Sequence, residues 1–238
     1  MTRYVNAALL LLAAFLAVVY LTPDPAPFSI HNTGPQGASK VAELCKIASV
    51  DNASVIIVAP GATPPPPRPG TVIILLGPTN ETLRALEVDA HVKEGEVTDQ
   101  ALNALNPHYP LAFAGNYAIA LYKPSPLVPG QAATPVAKTS EFSTWRGAQG
   151  SYTVAIRQRI GGGEVVAVSS PYVFTNAMLD MAQNAQWLKS LCGEAPTAYL
   201  GGVVDARAAL WRAVRSAPEA IVLIPLVALL ISIWPRET

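Results

Sequence analysis

Gly162 to Gly193, GGEVVAVSSPYVFTNAMLDMAQNAQWLKSLCG, reads as strand, turn and helix. Glu164 to Ser169 is a β-branched apolar run of strand length, and Ser170-Pro171 breaks it. Met178, Leu179, Met181, Ala182, Ala185, Leu188, Leu191 and Cys192 then recur at helical spacing, and Gly193 stands where a helix C-cap belongs. A strand that feeds a helix through a tight turn is the closing unit of an α/β domain.

Working outward, Val55–Val58 (VIIV) and Thr71–Leu76 (TVIILL) are continuous apolar runs. Strands of that kind are buried on both faces, which marks a parallel sheet covered by helices. Between them, Ala59–Gly70 (APGATPPPPRPG) is a polyproline surface loop, because proline cannot donate to a helix or a central strand. Phe28–His31 reads as a first strand and Asn32–Gly37 as a turn. Ser39 caps a helix carrying Val41, Leu44, Cys45 and Ile47. Thr79 or Asn80 caps a helix over 81–92 that Gly95 ends, and a short helix follows over 98–105. Leu111–Ala114 and Tyr117–Tyr122 form a hairpin around Gly115-Asn116. Tyr152–Arg157 and Glu164–Ser169 form a second around Gly161–Gly163. This order predicts an α/β fold: a doubly wound, mostly parallel, flavodoxin-like sheet in three layers.

Composition adds a membrane expectation. The 238 residues are 51% hydrophobic and 13% charged, where about 25% charge is usual. Zero formal net charge excludes nucleic acid as a partner, which needs a basic face. Ala7–Leu21 is an unbroken apolar run after Arg3. Ile221–Trp234 is a second, interrupted by Pro225 and Ser232 and followed by Pro235-Arg236. Each approaches the roughly 20 residues that span a bilayer. The first run is read as an uncleaved anchor, with a cleaved signal peptide as the alternative. The chain then divides into an anchor (1–22), a stiff linker (23–27), an extracytoplasmic domain (28–200), an amphipathic juxtamembrane segment (201–217) with Arg207, Arg212 and Arg215, and a transmembrane helix (218–235). Arg3 and Arg236 put both termini in the cytoplasm and the central domain outside a cell membrane.

Two segments, GGGEVVAVSSPYVFTNAMLDMAQNAQWLKSL (161–191) and SIHNTGPQGASKVAELC (29–45), carry a family pattern. It runs through the glycine turn 161–163, the strand Val165–Val168, Ser170-Pro171, Phe174, Asn176 and Asn184-Ala185. This resembles the domain-of-unknown-function 4350 family. The resemblance implies a membrane-tethered, class I glutamine-amidotransferase-like domain between two membrane helices, with no established activity. Members of that family often carry an acidic-His-His cluster after the last helix. Tyr199–Asp205 (YLGGVVD) supplies only Asp205.

Neither cysteine sits on the strand-to-helix elbow that an amidotransferase nucleophile needs. Cys45 falls within a helix and Cys192 at a helix end, so they are either a disulfide or two buried thiols. His31, His91 and His108 show no ligand spacing, so no metal and no cofactor is expected. Glu94, Glu96 and Asp99 beside Lys93 read as a solvated turn. Open α/β sheets bind ligands at the C-terminal edge of the strands. The groups placed there are His31, Asn32, Gly37, Ser39, Thr79, Asn80, Ser170 and Asn176, with Gly34 and Ser169 beside them. Helix N-termini at that edge offer N–H groups to an anion. The plainer reading gives Asn32, Asn80 and Asn176 capping roles. Asn52-Ala-Ser and Asn80-Glu-Thr match the N-glycosylation acceptor pattern. Together these features point to a non-enzymatic membrane-anchored module that binds partner proteins of a membrane assembly, or a small ligand. The rival is a hydrolase or transferase built around His31 and Ser39.

Overall fold

The computed structural model describes residues 2–21, 24 and 26–201. The chain separates into two units; the helix α1 (Thr2–Leu21) belongs to the first, and residues 27–203 form the second. The expected juxtamembrane segment (201–217) lies, after its first residue, outside the described residues. So do the expected helix 218–235 and Asp205.

α1 begins with Thr2, Arg3, Tyr4 and Asn6, so its unbroken apolar run is the 15 residues Ala7–Leu21. At 1.5 Å per residue that run reaches about 22 Å, against a hydrocarbon core of roughly 30 Å. Among the described residues no helix is long and apolar enough to cross a membrane. That corrects the expected anchor with both termini in the cytoplasm and the domain outside.

The second unit is organised by an eight-stranded mixed sheet, ordered β13-β1-β2-β12-β11-β8-β5-β6. In chain order its elements are α2 (Ser39–Leu44), β1 (Val55–Val58), β2 (Val72–Leu76), α3 (Asn80–Ala85), β3 (Ala90–Val92), β4 (Val97–Asp99), β5 (Leu111–Ala114) and β6 (Tyr117–Ala120). Then come β7 (Leu127–Pro129), β8 (Thr134–Thr139), β9 (Ser143–Trp145), β10 (Ala148–Gln149), β11 (Thr153–Ile160), β12 (Gly163–Val168), α4 (Asn176–Leu179), α5 (Asn184–Cys192) and β13 (Thr197–Leu200). β13, β1, β2 and β12 pair in parallel; β12, β11, β8, β5 and β6 pair antiparallel. Two small sheets, β10-β9-β4 and β3-β7, lie beside it.

The doubly wound, glutamine-amidotransferase-like expectation is therefore corrected. A doubly wound sheet needs a crossover helix after each parallel strand. Here β1 reaches β2 through the proline loop, and β2 reaches β12 only after the whole antiparallel half. The helices of this unit are short, at 6, 6, 4 and 9 residues. Local chemistry explains several departures. Phe28 adopts φ 57°, so Phe28–His31 is a turn and not a strand. Cys45 leaves α2 with extended backbone. Glu87, at φ 58°, helps turn the chain after α3 into β3. Asp99 accepts from the N–H groups of Ala101 and Leu102, which competes with the helix expected over 98–105. Ala182, at φ 46°, breaks the single helix expected from Met178 into α4 and α5.

The parallel strands bury alternate residues in two clusters. Ile57, Ile74, Val166 and Val168 face Val41, Phe174 and Trp187 from the short helices; Ile56, Ile73, Leu75 and Val165 face Leu83 and Leu86. The antiparallel half does not stay flat. Three strands separate β12 from β6, which in a flat sheet is roughly 19 Å. Yet Ser170 Oγ, just past β12, donates to Tyr122 O, just past β6, at 2.8 Å. The sheet curls until those ends meet. β6 is an edge strand, and its outer rim is closed by side chains in place of a further strand. Gln183 Oε1 accepts from Ala118 N at 2.8 Å, and Gln183 N donates to Ala118 O at 3.0 Å. Asn184 Oδ1 accepts from Ala120 N at 2.8 Å, and its Nδ2 donates to Ala120 O at 2.9 Å.

Candidate functional site

β12 runs toward Ser169–Tyr172, β6 runs the same way toward Tyr122, and β5 starts at that edge after Tyr109. The sheet thus gathers Phe28–Ser39, Tyr109, Tyr122 and Ser169–Asn176 on one side.

One group centres on Asn176, which is buried. Its Nδ2 donates to Asn32 O at 3.0 Å and Gly34 O at 2.8 Å, with Ser39 Oγ at 3.1 Å. Its Oδ1 accepts from Lys40 N at 2.9 Å. The residue before α2 is Ala38, which has no side-chain oxygen to cap it. Asn176 supplies that cap from a distant part of the chain. The first N–H groups of α4 are used likewise: Asn176 N donates to Gly37 O at 2.7 Å and Ala177 N to Pro35 O at 3.1 Å. Asn32 Oδ1 accepts from Gly34 N at 2.8 Å, closing the turn. A Cβ on Gly37 would lie 1.9 Å from Asn32 O, so only glycine allows this approach. Lys40 and Asp180 pair across the rim.

The structure thus brings Asn32, Gly37, Ser39 and Asn176 together, and it uses them to hold one another. His31 sits on the same turn with an exposed side chain. Ser170 is buried, its hydroxyl committed to Tyr122 O. Thr79 and Asn80 do local work at α3. Thr79 Oγ1 accepts from Thr82 N at 3.1 Å as the N-cap. Asn80 bonds Val92 on both sides, accepting from its N at 2.7 Å and donating to its O at 3.1 Å. That engages the Asn80 amide within the fold. Asn52 is exposed, its Nδ2 donating to Ser49 Oγ at 3.1 Å. Cys45 and Cys192 are joined as a disulfide with Cα atoms 5.9 Å apart, tying the end of α2 to the end of α5.

Sequence reasoning missed two features. The first is a strip of aromatic rings along the same edge. Phe28 and Tyr172 have centroids 5.4 Å apart, Tyr172 and Tyr122 5.3 Å, and Tyr122 and Tyr109 4.7 Å. The Lys123 ammonium stands 5.4 Å over the Tyr122 ring. Phe28 and Lys123, within this strip, both hold left-handed backbone, at φ 57° and 47°. Such positions cost about 1–2 kcal/mol each for residues with a Cβ. The four rings come from far-separated segments, so no local pattern announced them.

The second is Asp99, fully buried under the β4-β9 pairing and not part of a solvated turn. Its carboxylate bonds Ser143 Oγ at 2.8 Å, Ser140 Oγ, and the N–H groups of Ala101 and Leu102. Burial pushes its pKa up, but the donors from Leu102, Ser140, Ser143 and Ala101 together outweigh burial and hold it below the ordinary value. A carboxyl held ionised in this way anchors a loop and is not poised as a general base. Glu96 pairs with His108. Among the described residues, no cluster of three or more His, Cys, Asp or Glu is placed to hold a metal.

The profile of the family described as "Domain of unknown function (DUF4350)" matches residues 30–192. No curated protein matches the chain. Among solved structures, the chain is similar to the "mmIFT52 N-terminal domain" at 17% identity and TM-score 0.40, over 51% of this chain and 66% of that one. It is also similar to the exo-beta-1,4-mannosidase Op5Man5 from Opitutaceae bacterium strain TAV5, at 12% identity and TM-score 0.31, over 52% of this chain and 21% of that one. The chain spans less than two thirds of either structure, and likenesses at these scores carry no argument.

Proposed function

The chain belongs to the DUF4350 family, and from that premise we propose that residues 27–203 form a non-enzymatic binding module for a protein partner. The observation that carries this reading is the partly exposed strip Tyr172–Tyr122–Tyr109, with the buried Phe28 ring packed against Tyr172. Partly exposed tyrosines offer a large apolar face with a polar tip at low entropic cost, which suits a protein interface. The left-handed backbone of exposed Lys123, next to Tyr122, supports it, because backbone strain tends to persist where a surface is shaped for use. The rival hydrolase reading needs free nucleophile and base groups beside His31. Ser39 and Asn176 are spent on each other and on the turn, which favours the module.

The test is cross-linking capture by the full-length chain in its native cells, comparing the wild type with a Tyr122→Ser/Tyr172→Ser variant of matched melting temperature. The reading expects a reproducible protein partner whose recovery drops at least about tenfold with the variant, the loss typical of interface tyrosine anchors. Equal recovery by both chains defeats the strip as the binding surface. Ester or amide turnover that His31→Ala abolishes defeats the non-enzymatic reading.

A further inference from the structure

A groove of about 390 Å³ lies on the other end of the curled half-sheet, between α5 and strands β5, β6, β8 and β11. Tyr117, Pro135, Val136, Arg157, Trp187 and Leu191 are among its walls. That volume falls within the range of small-molecule sites. None of the lining residues is acidic, and Arg157 is its one cation. At one edge the guanidinium is ion-paired with Glu164, Nε lying 3.0 Å from Glu164 Oε1. Among the described residues, its terminal nitrogens have no other side-chain or carbonyl partner. A guanidinium ion-paired on its Nε side and open at both terminal nitrogens matches the two oxygens of a carboxylate.

The apolar walls are rigidly mounted. α5 is fastened at its start by Asn184 to Ala120 and at its end by the Cys45–Cys192 disulfide. Such preorganisation lowers the ordering cost of binding. A second groove, lined by Pro64, Pro66 and Glu81, carries a carboxylate and no cation, so its chemistry differs.

We propose that the Arg157 groove binds a small organic carboxylate with a flat apolar body, the carboxylate on the Arg157 guanidinium and the body between Val136 and Leu191. This site is separate from the aromatic strip and stands or falls independently of it.

The experiment titrates phenylacetate, and phenylacetamide as its uncharged isostere, into the full-length chain by ligand-observed NMR. The wild type should bind phenylacetate at least about tenfold more tightly than phenylacetamide, the difference a charge-assisted pair supplies. Arg157→Gln should erase that difference while leaving the weak amide binding in place. Glu164→Gln frees the guanidinium edge and should tighten phenylacetate binding about two- to fivefold, and it remains informative should Arg157→Gln unfold. Equal affinity for the two probes in the wild type overturns the site. So does an unchanged preference in Arg157→Gln, or phenylacetate binding by Glu164→Gln no tighter than by the wild type.

Discussion

Asn184→Ala should be among the most damaging single substitutions in the domain. The side chain is fully buried. It accepts from Ala120 N at 2.8 Å and donates to Ala120 O and Met178 O, both at 2.9 Å, with a longer contact to Val173 O. Alanine leaves the Ala120 N–H and the Ala120 carbonyl without partners in the interior, while the Met178 carbonyl keeps its bond from Met181 N at 3.0 Å. Each such group costs about 1–3 kcal/mol. At about 2 kcal/mol for each, the two together amount to about 4 kcal/mol. In a unit spanning residues 27–203, that lowers the melting temperature by roughly 8–16 °C. Melting by far-UV circular dichroism, with urea unfolding alongside, measures both quantities. Asn184→Asp keeps the shape but turns oxygens toward the same carbonyls, so it should be at least as unstable at neutral pH. A shift under about 3 °C for Asn184→Ala, with the urea slope unchanged, would refute the claim that this amide closes the β6 edge.

Three further outcomes follow from the same geometry. Reducing the Cys45–Cys192 disulfide should cost up to about 5 kcal/mol on the chain-entropy model for so long a loop; a melting temperature unmoved by a thiol, with free thiols confirmed by titration, contradicts this. The Asp99 carboxyl is held below its ordinary value of 3.8, so its contribution is fully present above about pH 4 and is lost as pH falls through the folded value. The urea midpoint should therefore drop more steeply on acidification in the wild type than in Asp99→Asn, and parallel pH curves for the two would remove Asp99 from the acid response. Gly37→Ala forces a Cβ against Asn32 O and should destabilise by about 1–3 kcal/mol. Ala38→Ser lacks that clash and serves as its control; equal melting of Gly37→Ala and wild type would show that the turn yields freely.

How much was legible depended on the range of the forces involved. VIIV and TVIILL could be read as buried strands because continuous burial leaves a local apolar run, and the two glycine-centred hairpins were visible because turn chemistry is local. Helices expected from periodicity end early where a short polar side chain or a left-handed residue stops them, as Asp99 and Ala182 do. Asn176 and Asn184 stand out in the sequence only as parts of the family pattern. Their work was invisible because every partner of Asn176 other than its own helix lies far away in sequence.

The chain by itself determined which segments are apolar throughout, where proline and glycine forbid regular structure, and which short pattern ties it to its family. These follow from side-chain polarity and backbone freedom, which each residue carries with it. Only the tertiary structure decided that the antiparallel half curls until Ser170 meets Tyr122, that two cysteines join α2 to α5, and that four distant rings line one edge. Those contacts depend on distances between segments far apart in the chain. Such distances arise from the summed packing of the sheet, and no local run of residues encodes them.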